Sequence, residues 1–512
     1  MRGIKCVLLL SALFGLAACG GGGGGDSPPP PAASPAPPAT NAAPTVNAGA
    51  DATTALPNAT VSLAGSAMDD GPVASLVYQW SANPAAGVTF SADKAAATDA
   101  TFTTAGTYTL TLTAGDGTLA GSDTVTVTVS DAPTPALVWP ATDDETEFHG
   151  WAKVEANTVG MTQQGLTDAG NFAQVVPTGG TGGTPDGGNG MIVRHGQLVH
   201  FWGDIDEKLD VKSVTKSMGG VVLGLAIKEN KVALDRKGIE FIPTFGTPPA
   251  ANATGAQTIT LAQLATHTAG FQKIDRTVNG EFTAVLEFTP GTTWSYSDAG
   301  LNWLADVLTT VNQQDLAAVA QDKVWSVLGV NPGGNTDDIS WRAAALRPPT
   351  RPSTGTLQYR ELASGIQANV NAMARVGLLF LRKGKWKDAE ILTTQFVTDV
   401  QTPRPENAGL ELNETAPHFL FPGARTDYGL LWWTNKSGLM ANVPKDAFWA
   451  WGLGEALIVV IPSLDLVIAR NGGQSGAGAT APADRVWNDE QWDGNVKVLE
   501  PFLNPIVAAT TP

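Results

Sequence analysis

Alternating apolar and polar residues mark the first folded part of the chain. Runs such as 61–64, 108–113 and 125–129 place the two kinds of residue in turn. A period of two predicts strands with one buried face. Several such strands within residues 44–131, with Asp116-Gly117 as a turn signal, predict a small all-β sandwich.

Residues 139–512 mix two periods. Apolar strand pairs at 190–203, turning at His195-Gly196-Gln197, and at 456–469, turning at 462–465, predict hairpins near both ends of this region. Between them, the apolar run 219–227 has helical length and few charges, which predicts a buried helix. Early strands, then helices, then late strands predict an α+β domain with an antiparallel sheet and an all-helical subregion.

Composition narrows the classes of function. The chain has 512 residues and a net charge of -17, from 48 acidic and 31 basic residues, which argues against nucleic-acid binding. Its two cysteines, Cys6 and Cys19, both precede the folded regions, so no disulfide is expected there. The five histidines form no metal-ligand pair, and we expect neither a metal nor a cofactor.

The first 43 residues have the composition of an export signal and a tether. A basic start and a short apolar run end in Leu16-Ala17-Ala18-Cys19, which resembles the lipobox of bacterial lipoproteins. The resemblance implies that residues 1–18 are a signal peptide and that Cys19 carries a lipid, anchoring the protein to a membrane on the periplasmic or cell-surface side. An ordinary signal peptide cut nearby is the alternative. Residues 19–43, rich in Gly and Pro, are expected to form a linker.

A serine and a lysine three residues apart are the first candidates for chemistry. Ser213 stands where a helix is predicted to begin, and Lys216 lies one turn later on the same face. A lysine with a lowered pKa can activate a serine hydroxyl, and the helix start offers free N–H groups to an oxyanion. On four residues alone, an N-cap serine beside a surface lysine is the simpler interpretation.

Further motifs follow in a characteristic order. Ser213-Val214-Thr215-Lys216 precedes Thr266-His267-Thr268-Ala269-Gly270, then Tyr296-Ser297-Asp298-Ala299-Gly300, then the late strands. This order resembles the serine beta-lactamase-like superfamily, which includes class C beta-lactamases, DD-peptidases and transpeptidases, family VIII esterases and 6-aminohexanoate-dimer hydrolases. Segments 428–433 and 448–455 resemble its esterase and aminohexanoate-hydrolase branch most.

The resemblance implies a division of roles. Ser213 would attack a carbonyl and form an acyl-enzyme, Lys216 would be the base, and Tyr296 would pass a proton to the leaving group. Asp298 stands where the family often has Asn, and it could keep Lys216 charged or belong to the substrate pocket. His267 is not expected to complete a Ser-His-Asp triad, because the Lys/Tyr pair already serves as the base.

The last predicted strands are expected to complete the site. The backbone N–H of Ser213 and that of Leu453, with Gly452 as the alternative, would form the oxyanion hole. The family's K-T-G is replaced by aromatic residues, which argues against strong beta-lactamase activity. We expect Trp432, Trp449 and Trp451, with Gly452, to line an apolar substrate pocket, core packing being the alternative.

The module at 44–131 resembles PKD and related Ig-like modules through Tyr78-Gln79-Trp80 and the run 106–117, although the usual W-D-F is absent. We expect it to be a spacer, or a weak polysaccharide- or protein-binding module, joined by a linker at 132–138.

The predicted function is a serine hydrolase acting on a small ester or amide. The alternatives are a DD-peptidase or penicillin-binding protein with weak beta-lactamase activity, and a non-catalytic surface binding protein.

Overall fold

The computed structural model of the chain describes residues 40–56, 59–71, 76–130, 137–142, 148–174, 188–246, 253–273, 276–278, 281–331, 337–342, 357–413, 423–452, 456–471 and 494–510. They form two compact units, divided between positions 133 and 134. The predicted signal peptide, Cys19 and most of the predicted linker lie outside the described residues. Among the helices that the structure describes, none is long and apolar enough to cross a membrane.

The secondary-structure elements described in the first unit are all strands. In chain order they are β1 (Thr45–Asn47), β2 (Ala52–Ala55), β3 (Ala59–Ala64), β4 (Ser66–Met68), β5 (Val77–Asn83), β6 (Val88–Phe90), β7 (Ala97–Phe102), β8 (Gly106–Gly115) and β9 (Ala120–Ser130). One sheet has the order β2-β9-β8-β5, a second has the order β3-β7-β6, and β1 pairs with β4. Side chains from both larger sheets share one core, so the predicted sandwich is confirmed.

Trp80 lies in the centre of that core. It is 2% exposed, and its indole N–H donates to the carbonyl oxygens of Ala95 and Ala96, each at 3.1 Å. Its ring packs against Phe90 with 6.2 Å between centroids. Trp80 is therefore a core residue whose single polar atom is satisfied, which agrees with a structural role.

The second unit combines short strands with helices. Its strands are β10 (Asn189–Arg194), β11 (Gln197–Trp202), β12 (Leu209–Asp210), β13 (Arg276–Val278), β14 (Glu281–Thr283), β15 (Thr293–Trp294), β16 (Ile339–Trp341), β17 (Ile366–Ala368), β18 (Lys385–Trp386), β19 (Ala389–Glu390), β20 (Glu411–Leu412), β21 (Trp433–Thr434), β22 (Phe448–Gly452), β23 (Ala456–Ile461) and β24 (Leu466–Asn471).

Its helices are α1 (Gln163–Gln174), α2 (Val214–Gly219), α3 (Val221–Lys228), α4 (Gly238–Phe241), α5 (Ala253–Ala256), α6 (Leu261–Ala265), α7 (Asp298–Asn312), α8 (Leu316–Ala320), α9 (Ser326–Leu328), α10 (Val370–Leu381), α11 (Thr394–Val400), α12 (Ala424–Asp427) and α13 (Gly494–Ala508). A π-helical segment, Gln321–Trp325, connects α8 to α9. Between β12 and β16 the described chain is mostly helical, with only short strands.

The central sheet has the order β11-β10-β24-β23-β22-β21, and each neighbouring pair is antiparallel. Both predicted hairpins are present, as β10–β11 and β23–β24. Strands from the two ends of the unit meet in the middle of the sheet, where Asn189 of β10 lies opposite Asn471 of β24. The predicted antiparallel sheet built from the chain ends is thus confirmed.

Each central strand divides its side chains between two cores. In β23, Ile458 and Val460 face the core that contains α2, α3, α7 and α10. Val459 and Ile461 face the opposite core, which contains α1 and α13. This alternation follows from the two-residue period of a strand, and it explains why β23 is apolar at every position.

The predicted helix at 219–227 is divided into α2 and α3. Gly220 joins them with right-handed helical angles (φ -60°, ψ -16°), so the chain continues in nearly the same direction. Met218, Val221 and Val222 are fully buried. The buried pair of helices gives the residues at the start of α2 a rigid support beside β22.

Candidate active site

Ser213 lies at the bend between β12 and α2. Its backbone angles are helical (φ -68°, ψ -10°), and it immediately precedes α2. The residue before it, Lys212, has a φ of 50°, in the left-handed region that residues other than glycine rarely adopt. Asp210 holds this bend, because its carboxylate accepts the Lys212 backbone N–H at 2.9 Å and the Lys212 ammonium at 3.0 Å. Ser213 is therefore partly exposed at the start of a helix.

Lys216 is buried one turn further along α2, with 2% of its surface exposed. Its Nζ lies 2.9 Å from Ser213 Oγ, 2.7 Å from the carbonyl oxygen of Ala363, and 2.9 Å from the Asp298 carboxylate. Burial lowers the pKa of the Lys216 ammonium, and the Asp298 carboxylate opposes that shift. The amine is thus in direct contact with the serine oxygen in a largely dry environment.

Tyr296 reaches the same point from the segment between β15 and α7. Its hydroxyl lies near Ser213, which slightly opposes the effect of burial on its pKa, and its ring centroid lies 4.8 Å from Lys216 Nζ. The ring stacks on His267 at 4.3 Å and lies nearly parallel to Trp433 at 6.4 Å. Burial raises the pKa of Tyr296, so the side chain is a neutral phenol at neutral pH.

His267 supports Tyr296 rather than Ser213. Its Nδ1 accepts the backbone N–H of Ser297 at 3.0 Å, so its Nε2 carries the proton and donates it to the Tyr428 hydroxyl at 3.1 Å. Burial lowers the pKa of His267 well below its usual value, which keeps the ring neutral. Because both ring nitrogens are engaged elsewhere, the geometry agrees with the expectation that no Ser-His-Asp triad forms.

Asp298, at the start of α7, bridges two lysines. One carboxylate oxygen lies 2.9 Å from Lys216 Nζ, and the other bonds to Lys273 Nζ. Burial alone would raise the pKa of Asp298, but the two ammonium groups hold it well below its usual range. Of the two roles considered for Asp298, this contact agrees with an influence on the charge of Lys216, and a place in the substrate pocket stays a prediction.

The end of β22 lies against the start of α2. A Cβ atom on Gly452 would stand 2.3 Å from the Val211 carbonyl oxygen and 3.2 Å from the Ser213 backbone nitrogen. Only glycine permits this approach. Within the part of the chain that the structure describes, the Ser213 N–H donates to no backbone oxygen. It is thus available to an oxyanion, whereas Leu453, the second predicted donor, lies outside the described residues.

Comparison with known families adds to this geometry. The Beta-lactamase family model matches residues 172–486, which is more than half of the chain and includes every residue of the site described above. The chain belongs to the beta-lactamase family. A PKD domain family model matches residues 48–129, so the first unit is a PKD-like module ahead of the beta-lactamase domain.

Three proteins similar to this member of the beta-lactamase family show the range of its relatives. An uncharacterised protein of Alkalihalophilus pseudofirmus is 23% identical over 307 residues, 56% of this chain and 83% of that protein. A putative 6-aminohexanoate-dimer hydrolase from Bacillus anthracis is 18% identical over 62% of this chain and 78% of that one, with a TM-score of 0.45. A penicillin-binding protein homologue from Caulobacter crescentus is 13% identical over 68% of this chain and 99% of that one, with a TM-score of 0.48.

Two of the predicted pocket tryptophans lie on one face of β22. Trp449 and Trp451 belong to the same buried cluster as Tyr296, Tyr428 and Trp433. Trp451, 7% exposed, precedes Gly452, the residue in contact with the start of α2. The beta-lactamase family's K-T-G would stand on this strand, and aromatic rings take its place here. Their assignment to a substrate pocket stays a prediction.

Trp432 corrects the sequence prediction. It is 1% exposed and packs between Phe380 and Phe448, at 4.7 and 5.3 Å between ring centroids. It belongs to the core that contains α10, on the other side of the sheet from Trp449 and Trp451. The reason is its place next to Trp433, which pairs with Trp449 and shares its core, so that the preceding residue faces the other side. Trp432 therefore has the surroundings of a core residue, the alternative considered for it.

Two groups that contact Lys216 or Asp298 were not predicted from the sequence. The Ala363 carbonyl, which accepts from Lys216, lies 147 residues away in the chain. Lys273 follows the Thr-His-Thr-Ala-Gly motif by three residues, and its spacing from Asp298 fits no periodic pattern. A backbone oxygen has no sequence signal. A charged residue just after an otherwise apolar Ala269-Gly270-Phe271 segment was the one available sign of Lys273.

Proposed function

We propose that this protein is a serine hydrolase that cleaves an ester or amide bond through an acyl-enzyme on Ser213. The observation that carries the proposal is the set of three partners around Lys216 Nζ: Ser213 Oγ, the Ala363 carbonyl and the Asp298 carboxylate, at 2.9, 2.7 and 2.9 Å. A neutral amine has two N–H groups and one lone pair. The carbonyl and the carboxylate can only accept, whereas the hydroxyl can donate, so the lone pair is directed at the Ser213 proton.

Tyr296 supplies the acid of the pair. Because burial raises the pKa of Tyr296, it stays protonated and can donate where a phenolate could not. Its hydroxyl lies near Ser213, which would bring it close to the group that leaves when the substrate bond breaks. Burial thus lowers the pKa of Lys216 and raises that of Tyr296, which favours a base and an acid that act together.

The reaction follows from these assignments. Lys216 takes the Ser213 proton while Oγ bonds to the carbonyl carbon, and the resulting oxyanion lies near the Ser213 N–H. The bond to the leaving group then breaks, and Tyr296 protonates that group while it recovers a proton from Lys216. Water next gives a proton to Lys216 through Tyr296 and bonds to the acyl carbon. The acyl–Oγ bond breaks, and Oγ recovers its proton from Lys216.

The substrate class follows from β22. In beta-lactam enzymes of this family, the cation of the K-T-G motif helps to bind the substrate carboxylate. Trp449 and Trp451 provide no cation, so we infer a substrate that has no carboxylate close to the scissile bond, such as an esterase substrate or a 6-aminohexanoate-type amide, whose carboxylate lies several methylene groups away. The test has two other outcomes. The protein could be a DD-peptidase that binds penicillin, or a binding protein that has kept the fold without catalytic activity.

The decisive experiment is labelling with a fluorophosphonate probe, followed by peptide mapping. We expect one adduct, on Ser213, and turnover of a short p-nitrophenyl ester or a linear aminohexanoate dimer that exceeds turnover of nitrocefin. Ser213→Ala should abolish the adduct and the turnover, and Ser463→Ala, at a surface turn, should change neither. Absence of a Ser213 adduct in the folded protein would end the proposal. Capture of labelled penicillin would favour the DD-peptidase.

A substitution at the end of β22 tests whether the strand positions Ser213. Gly452→Ala would bring a methyl group to 2.3 Å from the Val211 carbonyl and should displace the start of α2. Because a displacement near 1 Å can cost roughly 100-fold in rate, we expect kcat/KM to fall by about 10- to 100-fold. Gly409→Ala is the matched control, since nothing lies within 4 Å of its Cβ position. Full activity of Gly452→Ala would contradict this role.

A further inference from the structure

A second lysine shares the carboxylate of Asp298 with Lys216. Lys273 lies in the segment after the Thr-His-Thr-Ala-Gly motif, and its backbone carbonyl accepts the Asp298 N–H at 2.7 Å. Its Nζ bonds to the carboxylate oxygen that Lys216 does not contact. The two ammonium groups also flank the Tyr296 ring, at 4.7 Å for Lys273 and 4.8 Å for Lys216.

This arrangement answers the difficulty that Asp298 poses for catalysis. A carboxylate whose only cationic neighbour is Lys216 would favour the charged form of that lysine, and a charged lysine cannot accept the Ser213 proton. With Lys273 on its second oxygen, the carboxylate keeps a cationic partner when Lys216 is neutral. Lys273 is 21% exposed, so its own charge remains partly solvated.

We propose that Lys273 is a positioning residue, which balances the charge of Asp298 so that Lys216 can serve as the neutral base. The proposal rests on the proposed function, because it concerns the same Ser213 chemistry. The described contacts of the Lys273 ammonium are with the Asp298 carboxylate and the Tyr296 ring. Lys273 acts through Asp298, and its effect is therefore on the pH at which the site becomes active.

Other titratable groups near Lys216 do not replace Lys273. The groups that act on the Lys216 amine or surround it are Ser213, Asp298, Glu361, Tyr296, Lys273 and His267. Tyr296 and His267 are neutral at neutral pH, for the reasons given above. Glu361, which accepts the Ser364 hydroxyl at 3.3 Å, adds a smaller negative contribution than Asp298. Without Lys273, both carboxylates would still favour the charged form of Lys216, and Asp298 would lose the cation on its second oxygen.

The sign of the effect on pH dependence follows. If neutral Lys216 is required, kcat/KM for a p-nitrophenyl ester rises with pH as Lys216 loses its proton, and it then levels off. Removing Lys273 should stabilise the charged form of Lys216. We therefore expect Lys273→Met to move the midpoint of this rise upwards by about one pH unit or more, and to lower the high-pH plateau by less than about tenfold.

Three further variants make the test specific. Lys273→Arg, which keeps the charge, should retain a midpoint close to that of the wild type. Lys323→Met, which removes a surface lysine paired with Glu229, should leave the profile unchanged. Combining Lys273→Met with Asp298→Asn removes both charges, so its midpoint should return to the wild-type value or below it. The same profiles should appear in the rate of fluorophosphonate labelling.

The outcomes separate this proposal from the one on which it rests. Absence of a Ser213 adduct in the wild type would reject the hydrolase itself. A labelled, active wild type combined with an unmoved midpoint in folded Lys273→Met would reject only the role of Lys273, as would an equal loss of activity at every pH. If Lys273→Met does not fold, the double variant decides, because it carries no unbalanced carboxylate. A midpoint of the double variant above that of the wild type overturns the proposal.

Discussion

Lys216→Met should lower kcat towards an ester by about 1,000-fold while KM changes by less than about threefold. Methionine has a similar length and suits a site with 2% exposure, but it has no lone pair to take the Ser213 proton. Removing the base affects the transition state rather than ground-state binding, so the loss is expected in kcat. Steady-state kinetics at the pH of the plateau would measure it.

The fold should survive this change. Asp298 would keep Lys273 as its ion-pair partner, and the loss of the donor to the Ala363 carbonyl costs about 1–3 kcal/mol. The matched control is Lys323→Met, which removes a surface lysine paired with Glu229. Its activity should stay within about threefold of the wild type. A Lys216→Met enzyme that kept more than a tenth of the wild-type kcat would contradict the assignment of the base.

Arg375→Met should lower the free energy of unfolding of the beta-lactamase domain by about 3–5 kcal/mol. Arg375, on α10, has no exposed surface. Its guanidinium donates to the carbonyl oxygens of Leu328, Ala141 and His149 at 2.5, 2.7 and 2.5 Å, and to the Asn371 side chain at 2.9 Å. Methionine would leave these buried acceptors without their donor. Unsatisfied buried polar groups account for most of the expected loss in the free energy of unfolding.

Urea denaturation followed by tryptophan fluorescence would measure the change. Of the 15 tryptophans only Trp80 lies in the PKD-like module, so the signal reports almost entirely on the larger domain. Arg236→Met is the control, because its guanidinium is 49% exposed and pairs with Glu240 on the surface. That variant should lose at most about 1 kcal/mol. An equal loss in both variants would show that the buried network is not the source of the stability.

The sheets and the order of the motifs were open to prediction because each leaves a periodic or ordered signal. The alternation at 125–129 predicts β9, and the apolar runs around Pro462 predict β23 and β24, which are confirmed. Ser213 and Lys216 lie one helical turn apart, so a single local rule brings them together. Tyr296 was found only through the order of the motifs, since no local rule connects it with α2.

The remaining features depend on how distant segments meet. Lys273 and Asp298 are 25 residues apart, and their pairing needs the segment after α6 to lie beside the start of α7. The face that a tryptophan occupies depends on which strands pair: Trp433 of β21 lies opposite Trp449 of β22 and shares its core. Trp432 is one residue earlier and therefore lies in the other core, a result that needs the pairing of two separate segments.

The pairing of β10 with β24 cannot form until nearly all of the chain has been synthesised. Asn189 and Asn471 are 282 residues apart, an interval that a ribosome needs roughly 15 to 60 s to cover at 5–20 residues per second. During that time the nascent β10 has β11 on one side only, and its other row of N–H and C=O groups awaits a partner. An apolar strand with an open edge attracts foreign chains. We therefore expect the first hairpin to be most prone to aggregation in the interval before the last strands emerge.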